Sequence, residues 1–229
     1  MALSVDKVYK TVLYILNTDQ TGNLNPEEFN HIAEQVQLGI YENYFFDLHQ
    51  LLRRPQPTEE YADTVRLLEE KMSIFKTTNS TDLVSPTAGE FTLTSDIHKL
   101  NTVHFFNNEA VKVNRKDYNL MQKTPLVSAS EEYPCYLHEG NSLYILPTTV
   151  FKPTISYMRK PNAPAYKYTL SNVGEIIPDA THDDFELHAT EQAELVAKIL
   201  AYAGHTIKDM ETVQAAMQLS AGKDQIEKQ

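Results

Sequence analysis

Residues 25–54 constrain the fold of this chain more than any other stretch. Asn25 can accept hydrogen bonds from first-turn amides, Pro26 stands where a missing N–H does no harm, and Glu28 can reach back to the capping residue. A helix begins there. Apolar side chains then recur at helical spacing through Phe29, Ile32, Ala33, Val36, Ile40, Tyr44, Leu48 and Leu52, until Pro55 and Pro57 stop the run. About 27 residues at ~1.5 Å each make a rod of roughly 40 Å. Tyr41, Phe45 and Phe46 widen the stripe, which predicts a central helix packed on more than one side.

Its neighbours are helical too. Val5, Val8, Tyr9, Val12, Leu13, Ile15 and Leu16 predict a helix from about Val5 to Leu16, with Ser4 placed to cap it. Thr58 caps a third, whose Tyr61, Val65, Leu68, Met72 and Phe75 form a narrow seam against the second. From about Thr77 the texture turns to Thr, Val, Tyr and Phe broken by Pro and Asn. Six short strands are predicted: Phe91–Thr94, Thr102–Phe105, Ala110–Val113, Tyr136–His138, Ser142–Leu146 and Thr154–Met158. Asn107-Asn108 and Glu139-Gly140-Asn141 are the hairpin turns. After Pro178 the helical pattern returns, with Leu195, Val196, Ile199, Leu200 and Ala203 leading to Gly204 as a left-handed C-cap. Asp209 opens a last short helix through Val213, Ala216, Met217 and Leu219, and a polar tail follows. The expected fold class is α+β. A helical hairpin bundle at 1–76 is completed by the C-terminal helices at 179–229, with a small antiparallel β domain, 77–178, inserted between them.

Composition narrows the function more than it names one. The chain has 229 residues, 41% of them hydrophobic, enough for a real core. The formal charge is −11 and the largest basic cluster is Arg53-Arg54, so a phosphate grip on nucleic acid is not expected. No two of the seven glycines lie closer than Gly22 and Gly39, which excludes both dinucleotide and P-loop glycine motifs. No run approaches the ~18 apolar residues of a membrane span, and MALSVDKVYK lacks the order of a secretory signal. A soluble, cytoplasmically made chain is therefore expected. Without a secretory route the sequon Asn79-Ser80-Thr81 carries no meaning.

Three clusters could carry chemistry. Asn17, Asp19, Thr21, Gly22, Leu24 and Glu28 occupy EF-hand loop positions one, three, five, six, eight and twelve. Position one lacks its Asp, however, and capping already accounts for Glu28, so this loop is read as a structural helix connection with no metal. Cys135 and His138 could pair as nucleophile and base, but residues three apart on a strand face opposite sides, and Cys135 is read as an apolar filler. His182, Asp183, Asp184 and His188 precede a helix, where acidic residues complement the dipole. No catalytic residue, cofactor or metal is expected.

Two stretches far apart resemble one family. Asn17, Gln20, Gly22, Leu24, Pro26, Glu28, Phe29 and Asn30, followed by Ala33, Gln35, Gln37, Leu38, Ile40, Glu42, Tyr44, Phe45, Asp47 and Leu48, are similar to the opening helical hairpin of virion structural proteins of crAss-like and related short-tailed phages. Glu194-Leu195-Val196, Lys198-Ile199-Leu200, Ala203-Gly204, Ile207-Lys208-Asp209 and Val213-Gln214-Ala215-Ala216-Met217 resemble their closing helices. Ile155-Ser156-Tyr157-Met158-Arg159 running into Pro161 resembles the middle of phage adaptor proteins. The resemblance implies a non-enzymatic head–tail connector or tail ring subunit, part of the virion and assembled in the host cytoplasm. It also implies a homo-oligomeric ring, twelvefold, that binds the portal and other tail proteins while DNA passes through without specific binding. Val213, Ala216, Met217 and Leu219 are then the expected partner interface. The alternative within this class is a lower tail ring, a head-completion factor or an internal virion protein. The alternative outside it is a tail-associated hydrolase with two carboxylates ~5 to 10 Å apart.

Overall fold

Helix α2 spans Pro26–Arg53, and its start follows the capping logic of its first residues. The Asn25 amide donates to Glu28 Oε2 at 3.3 Å, while the Phe29 amide donates to the Asn25 carbonyl. The computed structural model describes residues 3–18, 24–53, 59–79, 83–87, 89–105, 108–125, 128–148, 153–171 and 175–207. The chain divides into two compact units, one made of residues up to Ile74 and from Pro161 on, the other of Phe75–Lys160. The class is mixed α and β.

In the first unit α2 packs on both α3 (Glu59–Ser73) and α5 (Gln192–Ile207), and α1 (Val5–Thr18) packs on α5. The apolar stripes predicted from spacing supply the core: Val8, Val12 and Leu16 of α1, Phe29, Ala33 and Ile40 of α2, and Leu195 and Ile199 of α5 are all buried. Each of these side chains except the small Ala33 contributes roughly 1.5–3 kcal/mol through removal from water. Two local expectations fail here. Gly204 does not end α5, which runs on to Ile207 with Gly204 buried inside it; packing on α1 and α2 outweighs the ~1 kcal/mol that glycine costs a helix interior. Phe46, counted into the buried stripe of α2, is 65% exposed.

The second unit is a two-layer β structure. One sheet orders β1 (Lys76–Asn79), β9 (Thr154–Arg159), β4 (Ile97–Phe105) and β5 (Asn108–Glu109). The other orders β2 (Leu83–Thr87), β3 (Glu90–Leu93), β8 (Ser142–Leu146), β7 (Cys135–Glu139) and β6 (Val111–Lys112). Phe91, Leu143 and Ile145 of the second sheet meet Val103, Phe105, Ile155 and Tyr157 of the first in one core. The opposite face of the second sheet buries Cys135, Leu137 and Leu146 under Tyr118 of α4 (Arg115–Lys123). Not every pairing is antiparallel as expected, because β6 runs parallel to β7. A parallel pair needs a crossover, and α4 lies within it. The segment after Lys160, read as the end of the β domain, belongs instead to the helical unit. There β10 (Tyr168–Leu170) and β11 (Ile176–Pro178) form a separate antiparallel hairpin.

The β2–β3 connection turns on Gly89 at φ +82°, where an added Cβ would stand 2.8 Å from Thr148 Cγ2 and 3.2 Å from the Ile145 carbonyl oxygen. Gly89→Ala is expected to lose about 1–3 kcal/mol from backbone strain and crowding. Urea unfolding checks this. The same substitution at Gly140, at φ +58° with open space around it, should cost less.

Candidate functional site

The candidate chemistry is spoken for by structure. Cys135 and His138 sit on β7, Cys135 facing the Tyr118 cluster with its sulfur 3.5 Å from Met121 Sδ. Burial pushes its thiol up, away from the thiolate that a nucleophile needs. The α4 side of this cluster is fastened by Arg115, whose Nε donates to Glu139 Oε1 at 2.9 Å and whose guanidinium lies over the Tyr144 ring at 5.0 Å. Arg115 is held further toward its charged form by the Glu139 hydrogen bond.

His182, Asp183, Asp184 and His188 each find a different partner. The His182 ring stacks on Tyr166 at 4.6 Å, and its Nδ1 accepts from the Lys167 amide at 3.1 Å. Asp183 pairs with Lys167 Nζ at 2.8 Å. Asp184 Oδ1 accepts from the Val5 amide at 3.0 Å and so meets the first-turn donor that Ser4 was expected to satisfy. His188 caps the 3-10 turn Ala189–Glu191 by accepting from the Thr190 amide. Among the described residues no group of three or more His, Cys, Asp or Glu side chains could hold a metal. Of the EF-hand-like loop, Asn17 lies in the last turn of α1 and Glu28 caps α2, while Asp19 and Thr21 lie outside the described residues. Val213, Ala216, Met217 and Leu219 lie outside them too.

What the structure gathers instead is a polar clasp on α2. Asn30 and Gln37, two turns apart on one helix face, use their carboxamides on the backbone of the 161–188 segment. Asn30 Oδ1 accepts from the Tyr166 amide at 2.8 Å while its Nδ2 donates to the Tyr166 carbonyl at 3.2 Å. Gln37, only 1% exposed, donates to the Asn162 carbonyl at 2.7 Å and accepts from the Glu186 amide at 3.2 Å. The Glu186 carboxylate closes the loop by accepting from the Asn162 amide at 2.9 Å and its Nδ2 at 3.1 Å. Leu3 and Phe185 exchange backbone hydrogen bonds beside it. A second buried contact lies between α3 and the 3-10 turn, where Lys71 Nζ stands 2.6 Å from Glu191 Oε1 with both side chains almost wholly buried. Lys71 also lies over the Tyr44 ring at 5.8 Å.

Tyr9 links the clasp to the start of α2. Its ring contacts Phe29 and Tyr166, and its hydroxyl donates to the Leu24 carbonyl at 3.0 Å. Burial first, then the neighbouring Tyr166 and Tyr168, push its pKa up to about 12. The folded state holds that proton more tightly than the unfolded chain, so this contribution is complete below ~pH 10 and is lost as pH rises toward about 12. Tyr9→Phe should be about 1 kcal/mol less stable at pH 8 through the missing hydrogen bond. That gap should narrow above ~pH 10. Parallel decline of the two proteins in alkaline denaturation would show that another group titrates.

Several large apolar side chains remain outside both cores. Leu170, Ile176 and Ile177 are exposed on the β10–β11 hairpin, Phe46 and Leu52 on the last turns of α2, and Leu120 and Tyr133 beside α4. Sequence reading missed the hairpin, the clasp and the buried pair. Beyond their place in the resemblance, Asn30 and Gln37 carried no signal except their spacing of seven. No described helix is long and apolar enough to cross a membrane. No family model matches this chain, and no curated protein matches it significantly.

Proposed function

We propose that this chain is a non-enzymatic structural subunit that assembles into a ring, acting as the head–tail connector of a tailed phage between portal and tail. The observation that carries this reading is the set of large apolar side chains left exposed on both compact units, including Phe46, Leu170 and Ile177 on the first and Leu120 and Tyr133 on the second. A subunit held between neighbours on each side needs several contact faces, and aromatic and aliphatic anchors are what such faces use. The resemblance of the opening and closing helices to virion structural proteins of crAss-like and related short-tailed phages supports this assembly. In this reading the N- and C-terminal helices form one bundle and the β-rich unit is an insertion within it. A formal charge of −11 suits a conduit wall past which DNA slides without being gripped.

Negative-stain microscopy and mass measurement of the purified chain, alone and with portal-bearing heads, test the proposal. Rings or portal-bound collars are expected. A chain that stays monomeric and leaves the portal bare overturns it.

A further inference from the structure

The apolar stripe of α2 changes environment along its length. Phe29, Ala33, Val36, Ile40 and Tyr44 are buried, but Phe46 and Leu52 are 65% and 63% exposed. Phe45, Phe46, His49, Gln50 and Arg53 line an open groove at this end.

At the other end of the same helix the β10–β11 arm begins. Its root is fixed by the Asn30 clasp on Tyr166, the Tyr168 hydroxyl donating to Glu27 Oε1 at 3.2 Å, and the paired backbones of Ala165 and Asp183. Beyond the root the ladder pairs Tyr168 with Pro178, Thr169 with Ile177 and Leu170 with Ile176. Leu170, Ile176 and Ile177 stay exposed there. A two-stranded ribbon is only marginally stable in water unless something packs on it.

Arm and groove are complementary in chemistry. Both are apolar, and the arm adds Glu175 and Asp179 where the groove has His49 and Arg53. The arm cannot fill the groove of its own chain. From residue 27, where the Tyr168 hydroxyl is held, α2 rises roughly 28 Å to residue 46. Leu170 and its partner Ile176 lie only two residues further along the ribbon, about 7 Å. Among the described residues the groove is lined by α2 alone, so the arm whose chemistry matches it is that of a second copy. Because the two surfaces differ and sit at opposite ends of one helix, a second copy can offer its arm while leaving its own groove open, which is the geometry of a head-to-tail contact.

We propose that the β10–β11 arm of one subunit seats in the groove at the C-terminal end of α2 in the next copy. This rests on the ring reading only for closure; the contact itself is pairwise.

The test uses the full chain on a Cys135→Ala background with a short bis-maleimide. Ile177→Cys and Phe46→Cys are made separately, mixed, and combined in one chain. The mixture should give a cross-linked pair, each single variant alone should give none, and the combined chain should give a ladder of higher oligomers. Arm–arm or groove–groove dimers, a link within one chain, or no link at all overturn the contact. Microscopy of the same samples separates the two claims. Closed rings without the arm–groove link leave the ring reading standing and remove the contact, whereas a ladder without rings does the reverse. Ile177→Glu is expected to weaken self-association at least tenfold in sedimentation while melting and circular dichroism stay unchanged, since Ile177 is 48% exposed. Unchanged self-association in that variant overturns the contact as well.

Discussion

Lys71→Met will destabilise the helical unit by roughly 3–5 kcal/mol, the cost of leaving one charge of a buried pair without its partner. Lys71 Nζ and Glu191 Oε1 are 2.6 Å apart, with side chains 5% and 2% exposed. Removing either charge leaves the other in a medium that solvates it poorly. Glu191→Leu should therefore cost a similar amount. The double variant Lys71→Met with Glu191→Leu should recover most of the loss, since a well-packed apolar pair of similar volume avoids both desolvation penalties. A double-mutant cycle by urea unfolding, followed by a probe in the helical unit, gives the coupling directly. If the two single losses simply add, the pair is not an energetic unit, and the loss at Lys71 comes from its other contacts, the packing over Tyr44 among them.

The second large effect is expected at Gln37. Gln37→Leu keeps the volume but removes the groups that meet the Asn162 carbonyl and the Glu186 amide. Both partners are part-buried, and each left unsatisfied costs about 1–3 kcal/mol at most, so a total of roughly 2–4 kcal/mol is expected. Asn30→Ala should cost less, about 1–2 kcal/mol, because Asn30 is itself only half-buried whereas Gln37 is fully buried. Native-state hydrogen exchange locates the effect. Gln37→Leu should raise exchange at the Leu3, Phe185 and Glu186 amides ahead of those in the middle of α2. A uniform rise along α2 would mean that Gln37 supports the helix itself and not the 161–188 segment.

Local physics made much of the fold readable in advance. Capping at Asn25 and Glu28, together with apolar spacing of three and four, placed α1, α2 and α3. Alternation placed six strands that all recur in the structure, five with ends shifted by at most one residue and one, expected at Thr102–Phe105, that starts five residues earlier at Ile97. These signals are properties of neighbouring residues, and neighbours lie together in sequence whatever the rest of the chain does. Helix α4 escaped because Arg115–Lys123 offers little apolar periodicity; it covers one face of the second sheet chiefly through Tyr118 and Met121. The 161–188 segment escaped because it has almost no regular structure of its own and is held by α2 side chains more than 120 residues away in sequence.

The candidate site divides in the same way. That Cys135 and His138 point to opposite faces followed from strand alternation alone. That Asp184 caps α1, that Gln37 is buried, and that Lys71 meets Glu191 could not follow from any local pattern. A polar residue on a helix face is a surface residue by composition and becomes a core residue only when a distant segment satisfies its hydrogen bonds or charge. Which polar residues are buried is therefore set by the tertiary packing that brings the partner within hydrogen-bonding distance, whereas α1, α2, α3, α5 and six of the strands were already determined by the order of the residues.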